Sequence, residues 1–591
     1  MRLYNTPARM AGPVGKNVRT SAHAILRCTA MGVLAAAITA PAASAQAQDD
    51  GFLGTIVLGE SKREVQTQTA ESLTVIDQEE LEDRQAGTLA ELIDTVPGVN
   101  LVNGATSSGS GITIRGYGAN GTFGTDQKVL IQVDGATKGA EELYRVGTQL
   151  FTDPFLYKTV RVNRGTIGSF EFGSGVIGGV VRLETIDASD VTGGEVGFRV
   201  RQALEFTSNG DGLASSTTLA WQPTQQLEFL VNYTRRQLST RTDGNGVAIA
   251  PNAGDINDPS WLVKFKYTFG NDNQHSISFS HTHTDQDQQD VPYDTFGVVN
   301  FGNVNRQIEN DTFSLAYNYN PASDLIDFSI ELVHVDELVF SEAIVGPNPL
   351  LDADNRYKTT TLRFKNTAIF TTGAIEHELR AGIEFTRRDR QDATAGSAPG
   401  GERDVVAIYV VDDMRIGNWT ITPALRFEDQ KMTASATAGG GRFDNSALMG
   451  GISARYEFNN GFAVFASAAY TENFPIIDDV QNAVLANRSE KSRTLEFGAS
   501  YAGTDVFTGG DTLAVKVVAY DQSVWDVTSY RSFAPGGSTN RVDRQGLEIE
   551  ASYALDSGWY ADVAANFSTG DARLENGTVQ DWRLNPQDDI R

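Results

Sequence analysis

Cysteine is almost missing from this 591-residue chain, which holds only Cys28, and just six histidines are present. Basic residues are also scarce, with 48 lysines and arginines against 75 aspartates and glutamates. One cysteine excludes a disulfide framework and a cysteine-ligated metal centre. The formal net charge of -27 speaks against nucleic acid as a partner and suits an exported, solvent-facing surface. No Gly-x-Ser-x-Gly motif pairs a nucleophile with the few histidines, so a serine-hydrolase enzyme on this scaffold lacks its parts. From Gln46 to Arg591 there is also no run of about 18 apolar residues, which excludes a membrane-spanning helix.

The N-terminus has the opposite character. Five basic and no acidic residues (Arg2, Arg9, Lys16, Arg19, Arg27) precede an uncharged stretch from Cys28 to Pro41 that ends in Ala43-Ser44-Ala45. This pattern predicts a secretory signal peptide over residues 1–45, cleaved after Ala45, because the apolar run is too short to span a bilayer and ends in small residues. Cleavage removes the only cysteine and five positive charges, taking the net charge from -27 to -32.

An exported chain without an apolar helix can sit in a membrane only as a closed sheet. From about residue 190 the sequence supplies one, alternating with period two between polar turns. Val196, Phe198 and Val200 oppose Glu195, Arg199 and Arg201. Trp261, Val263, Phe265, Tyr267 and Phe269 oppose Lys264, Lys266 and Thr268, while Leu495, Phe497, Ala499 and Tyr501 oppose Glu496 and Ser500. Short links are expected at residues 270–274, 321–324, 371–375, 415–417 and 459–461. Long polar links are expected at 285–309, 336–357, 388–402, 433–444, 471–490 and 523–541, facing outward from the cell. Counting up and down from Gly194 gives 17 strands, the last near Trp559 to Ser568, with 579–591 as loop. The expected fold is mainly β: a transmembrane antiparallel barrel of the 22-stranded type, C-terminally incomplete over 188–591, behind an N-terminal α+β domain.

That N-terminal domain, from about residue 66 to 187, is glycine-rich and lacks the barrel rhythm. Residues 72–77 read as a strand, Asp77 opens a helix with an acidic first turn, and a second helix with Leu89, Leu92, Ile93 and Val96 on one face ends at Pro97. Strands follow at 112–115, 129–133, 159–163 and 180–184.

The ordered succession Thr88-Leu89…Pro97-Gly98-Val99, Ile114-Arg115-Gly116, Val133-Asp134-Gly135, Val160-Arg161-Val162-Asn163-Arg164-Gly165 and Gly173 to Val180, with Gly178-Gly179, resembles the plug of TonB-dependent outer-membrane receptors. The resemblance implies TonB-driven active import across the bacterial outer membrane, in contact with outer-membrane lipid. It also implies that Arg115, Arg164 and Arg182 sit where family members place charges against barrel-interior carboxylates. Residues 46–65 precede the plug, and within them Gly54-Thr55-Ile56-Val57-Leu58-Gly59 looks like a TonB box. Such an extended segment can add a strand to the sheet edge of TonB, which belongs to the inner-membrane energy-transducing complex.

For the ligand the resemblance implies an iron chelate, either a ferric siderophore or haem; a receptor for another metal or nutrient, and a passive plugged-type porin, are the alternatives. Residues 173–180 resemble the haem branch of the family, and Glu472-Asn473-Phe474-Pro475 and Ser489-Glu490-Lys491-Ser492 stand where that branch has Phe-Arg-Ala-Pro and Pro-Glu-Lys-Ser. No histidine, however, falls in the plug or between Phe474 and Glu490, so an axial ligand would have to be another residue, such as tyrosine. Tyr117 and Tyr144 are the plug candidates and Phe474 a loop candidate, each also readable as a packing aromatic. His281 and His283 share one strand face and could hold a metal or haem together. The same face carries Ile277 and Phe279, which points it at lipid. No resident cofactor is expected, and no metal is assigned.

Overall fold

The computed structural model describes residues 64–84, 86–102, 111–118, 128–138, 153–173, 175–247, 256–293, 302–348, 351–393, 399–529 and 537–591. Seventeen long strands, from Gly197–Thr207 to Tyr560–Leu574, pair antiparallel in chain order and form a barrel. The ring returns to its first strand through the short strands Val579–Asp581 and Asp589–Ile590, which meet Tyr560–Leu574 over three and two residues. No described helix is long and apolar enough to cross a membrane.

The alternation turns this barrel inside out relative to a soluble protein. In Glu490–Thr504, Phe497 is 65% and Leu495 41% exposed, whereas Glu496 between them is only 4% exposed. Many inward positions are polar: Asn232 Nδ2 donates to Ser216 Oγ at 2.9 Å and to Thr218 Oγ1 at 2.7 Å, all buried. An apolar exterior around a polar interior is favourable only if the solvent outside is hydrocarbon.

Aromatic rings mark one margin of the apolar band. Tyr267 stacks on Phe269 at 5.2 Å, Phe269 on His275 at 5.1 Å and Trp419 packs on Tyr456 at 4.9 Å, all beside the short turns. The opposite margin, toward the longer loops, carries outward ion pairs such as Arg387–Glu402 at 2.8 Å, Arg493–Asp521 at 3.3 Å and Arg541–Asp543 at 2.7 Å.

Here the expected long loops prove too long. Asp285 pairs with Glu309, Asp336 with Lys358, Arg388 with Arg403 and Thr433 with Arg442, all within strands. The ladders continue past the apolar band into water, where both faces of a strand are polar. Polarity there reports the solvent and not the end of the strand.

Within the ring lies a sheet ordered Ser72–Ile76, Tyr157–Arg164, Gly179–Thr185, Val129–Val133, Ala136–Lys138. Val129–Val133 runs parallel to Gly179–Thr185, and the other pairs are antiparallel. Two short helices cover it. Gln78–Arg84 begins where Asp77 Oδ1 accepts the Glu80 amide at 3.0 Å, and Leu89–Ile93 where Thr88 Oγ1 accepts the Glu91 amide at 3.1 Å. Ile76, Leu89, Leu92, Ile93, Val160, Val162 and Val181 form the shared core.

Because Phe497 faces hydrocarbon, Phe497→Arg should cost about 2–4 kcal/mol of barrel stability, if its depth is near the midplane. Denaturant titration of barrel folded into bilayers, followed by heat-modifiable gel mobility, measures this; a loss below about 0.5 kcal/mol would place Phe497 outside the lipid.

Candidate functional site

Two glycine motifs of the inner domain are tight hairpin turns. Arg115-Gly116 joins Ile114 to its partner Tyr117, and Asp134-Gly135 joins Val133 to its partner Ala136. All four residues have positive φ (49° and 72°, then 45° and 77°), as a two-residue I′ turn demands. Glycine at the second place is also a matter of space, since a Cβ on Gly135 would lie 1.8 Å from Glu331 Oε1 of the barrel wall.

The first turn aims Arg115 into the wall. Its guanidinium donates from Nε and Nη2 to the two carboxylate oxygens of Glu548, at 2.8 and 3.0 Å, and from Nη1 to Glu496 at 2.5 Å. It lies 4.2 Å from the Tyr520 ring centre and is fully buried. Gly165 leaves the passage open, because a Cβ there would sit 2.6 Å from Arg115 Nη1. Arg164 completes the group, donating to Glu550 at 2.8 Å and to the Pro97 carbonyl at 3.2 Å. Gly178 and Gly179 similarly let backbones touch, their added Cβ atoms falling 2.8 Å from the Ile114 carbonyl and 2.3 Å from that of Asn163. Arg182 behaves differently. Its guanidinium lies 4.2 Å over the Phe172 ring of the same domain, and the wall carboxylate Glu331 acts on it through space.

Lysines that the sequence did not single out anchor the rest. Lys128 Nζ donates to Glu490 at 2.6 Å and to Ser529 Oγ at 2.6 Å. Lys138 Nζ reaches Asn310 at 2.8 Å and Thr312, and burial brings its ammonium down to about 8 against the pull of Glu337, Asp134 and Asp311. Lys264 and Lys158, each 2.7 Å from Asp187, hold that carboxyl well below the usual range although burial opposes them. Glu71 goes the other way, since burial, reinforced by Asp413, pushes its carboxyl up to about 7 while Arg380 opposes. Asp134 itself accepts the Thr185 amide at 3.0 Å, fixing its own turn.

At the long-loop end, residues 474–489 fold inward over this domain. Phe474 is buried with Ile167, Phe170 and Met449, and Gln430 Nε2 donates to the Pro475 carbonyl at 2.9 Å. Glu490 ties three elements together, accepting from Lys128, from the Thr528 and Ser529 amides at 2.7 and 2.9 Å, and from Asn473 at 3.1 Å.

The sequence-derived ligand candidates do not converge. Tyr117 is fully buried beside Ile177, Val524 and Trp582, its ring 6.4 Å from that of Trp582. His281 and His283 lie on the outer face, both within 2.9 Å of Asp311 Oδ1, with His281 stacked 4.0 Å from Phe313 and packed on Trp261 at 4.5 Å. Among the described residues no group of three or more potential metal ligands occurs. Tyr144, Thr55, Ile56, Val57, Leu58 and the signal peptide lie outside the described residues.

Comparison with known proteins gives two family matches: the TonB dependent receptor-like beta-barrel over residues 220–588 and the TonB-dependent Receptor Plug Domain over 65–180. The hemin receptor of Yersinia pestis is 24% identical over 553 residues, covering 87% of this chain and 77% of that protein. The TonB-dependent heme receptor A of Haemophilus ducreyi is 23% identical over 398 residues, covering 60% of this chain, which spans about half (52%) of that relative's length. Among solved structures, the FrpB iron transporter of Neisseria meningitidis superposes with a TM-score of 0.71 at 19% identity, over 85% of this chain and 81% of that one. The hemophore receptor HasR of Serratia marcescens, as a double mutant with HasA and heme, gives 0.71 at 17% identity over 88% of each.

Two measurements test this interface. Arg115→Ala leaves Glu496 buried without its guanidinium and Glu548 with Arg164 as its remaining close cation, and should cost about 3–5 kcal/mol of docking stability; limited proteolysis of the inner domain should accelerate, and an unchanged cleavage pattern would deny the cluster its anchoring role. Glu71 has a folded value raised above its ordinary one, so its contribution to stability is present at acid pH and lost as pH rises toward 7. Glu71→Gln should flatten that decline in urea titrations between pH 4.5 and 7.5; a decline equal to wild type would count against it.

Proposed function

The chain belongs to the TonB-dependent receptors, and we propose on that footing that it actively imports an iron chelate, a ferric siderophore or haem, across the bacterial outer membrane. The observation that carries this reading is the lumen, occupied by a domain whose arginines and lysines are fastened to wall carboxylates. A passive pore would need that lumen open. Solute can pass only if the plug is moved, and moving it requires work from outside the barrel. Thr55 to Leu58, a β-prone run ahead of the plug, is the handle we assign to TonB. In this reading residues 1–45 are the leader, 46–65 the box segment, 66–187 the plug and 188–591 the barrel. The aromatic, short-turn end faces the periplasm and the long loops face outward, where residues around 474–489 receive the ligand.

All five histidines after the leader (His275, His281, His283, His334 and His377) fall at outward-facing strand positions, so none is offered to the lumen. This favours a chelate that arrives with its iron fully coordinated over one that takes an imidazole from the receptor. The haem and hemin receptors among its relatives support the wider class, an iron chelate. A deletion strain grown on single iron sources separates the two: growth lost on ferric siderophore alone supports the narrower reading, and growth lost on haem alone overturns it.

Deleting Thr55 to Leu58 should abolish uptake while leaving ligand binding to intact cells nearly unchanged, because in this reading the box serves coupling to TonB and the outer loops serve capture. Radiolabelled ligand accumulation in energised cells measures both; accumulation persisting in the deletion strain would remove the box assignment.

A further inference from the structure

We propose that Lys516 is the fastener of a strap, Val65–Glu71, that lies between the box and the plug sheet and is the first part released when the box is pulled. Lys516 is buried in the lumen wall on Asp511–Trp525. Its three ammonium protons are matched by three backbone carbonyls of the strap: Gln66 and Thr69 at 2.8 Å and Glu71 at 2.5 Å. Ser500, its direct cross-strand partner, donates to the Thr67 carbonyl at 2.8 Å. Ala70 packs on Phe465 and Val518 of the same wall. Beyond the wall, the strap backbone makes one bridge, Val65 to Thr74, and two local bonds, Thr67 to Val65 and the Glu71 amide to Thr69 Oγ1 at 3.0 Å, and one side-chain bond reaches the sheet, from Asn163 Nδ2 to the Glu71 carboxylate at 2.7 Å. The sheet that begins at Ser72 is by contrast held by a five-residue ladder to Tyr157–Arg164, and behind it by the ion pairs of Arg164.

Force arriving from the N-terminal side therefore meets the Lys516 bonds before it meets the ladder. Bonds to one ammonium also fail together, because a single displacement of the strap withdraws its carbonyls from the same point. Lys516 is in this sense a positioning residue for transport. The inference rests on the box reading above for its direction of pull, but the fastening itself does not.

Hydrogen exchange of the full-length receptor in bilayers tests it. Lys516→Met should raise exchange across 65–71 about tenfold or more while 72–76 and 157–164 stay within about twofold of wild type. Lys516→Arg should restore part of the protection, and Ser500→Ala, which leaves the buried charge in place, should raise exchange around Thr67 alone. Unchanged exchange at 65–71, or an equal rise throughout the plug sheet, overturns the proposal. In cells, ligand binding by Lys516→Met should match wild type while the uptake rate changes severalfold; an unchanged rate in a strain where box deletion abolishes uptake overturns the coupling role. Uptake that survives box deletion would instead remove the functional reading and leave the exchange result standing.

Discussion

Hydrocarbon offers no partner to an unpaired amide, and nearly everything in this molecule follows from that. A chain that crosses lipid without a long apolar helix has to satisfy its backbone between neighbouring strands. The side chains then sort by solvent: apolar outward, as at Leu495 and Phe497, and polar inward, as at Glu496, Glu548 and Glu550. The barrel thereby acquires a charged lumen that it cannot fill with its own side chains.

A plug entering such a lumen meets only local apolar patches of the wall, such as Phe465 and Val518 against Ala70, and needs polar contacts beside them. It docks through Arg115, Arg164, Lys128 and Lys138, each matched to carboxylates or polar groups of the wall. Pairs of this kind are costly to break singly but contribute little net stability as a set, because desolvation offsets much of their attraction. The plug is thus specifically seated without being deeply bound, which suits a part that must be displaced and returned. The same balance explains why the I′ turns matter: they set the direction of Arg115 and the position of Asp134, and a misdirected arginine in that lumen would be an unpaired charge.

The barrel was legible in sequence because its signal is a repeated alternation, and the seventeen strands follow from counting it. The loops were misjudged because polarity at Asp285 or Asp336 reads the same in a solvated strand as in a coil. Of the plug, the motifs at Arg115-Gly116 and Asp134-Gly135 were visible by resemblance, and their turn geometry supplies the reason for them. The wall partners could have been found: in Leu547-Glu548-Ile549-Glu550 the acids alternate with lipid-facing residues and so must point inward. The strap was invisible, since Lys516 recognises backbone carbonyls, which every residue carries. Tyr117 and Phe474 are both covered, which an aromatic residue's type does not announce in the sequence.

The strands that run on past the apolar band give the outer opening a definite mechanical character. From Asp285–Glu309 to Thr433–Arg442 the wall beyond the apolar band is still a hydrogen-bonded sheet, and its width is set by strand spacing. A collar of that stiffness does not dilate to admit a bulky visitor. Size exclusion at the entrance is then an inherited property of sheet geometry, and evolution of a new cargo would proceed by rewriting what hangs inside the collar, the inward-folded segment at Phe474 above all, while the tube keeps its gauge.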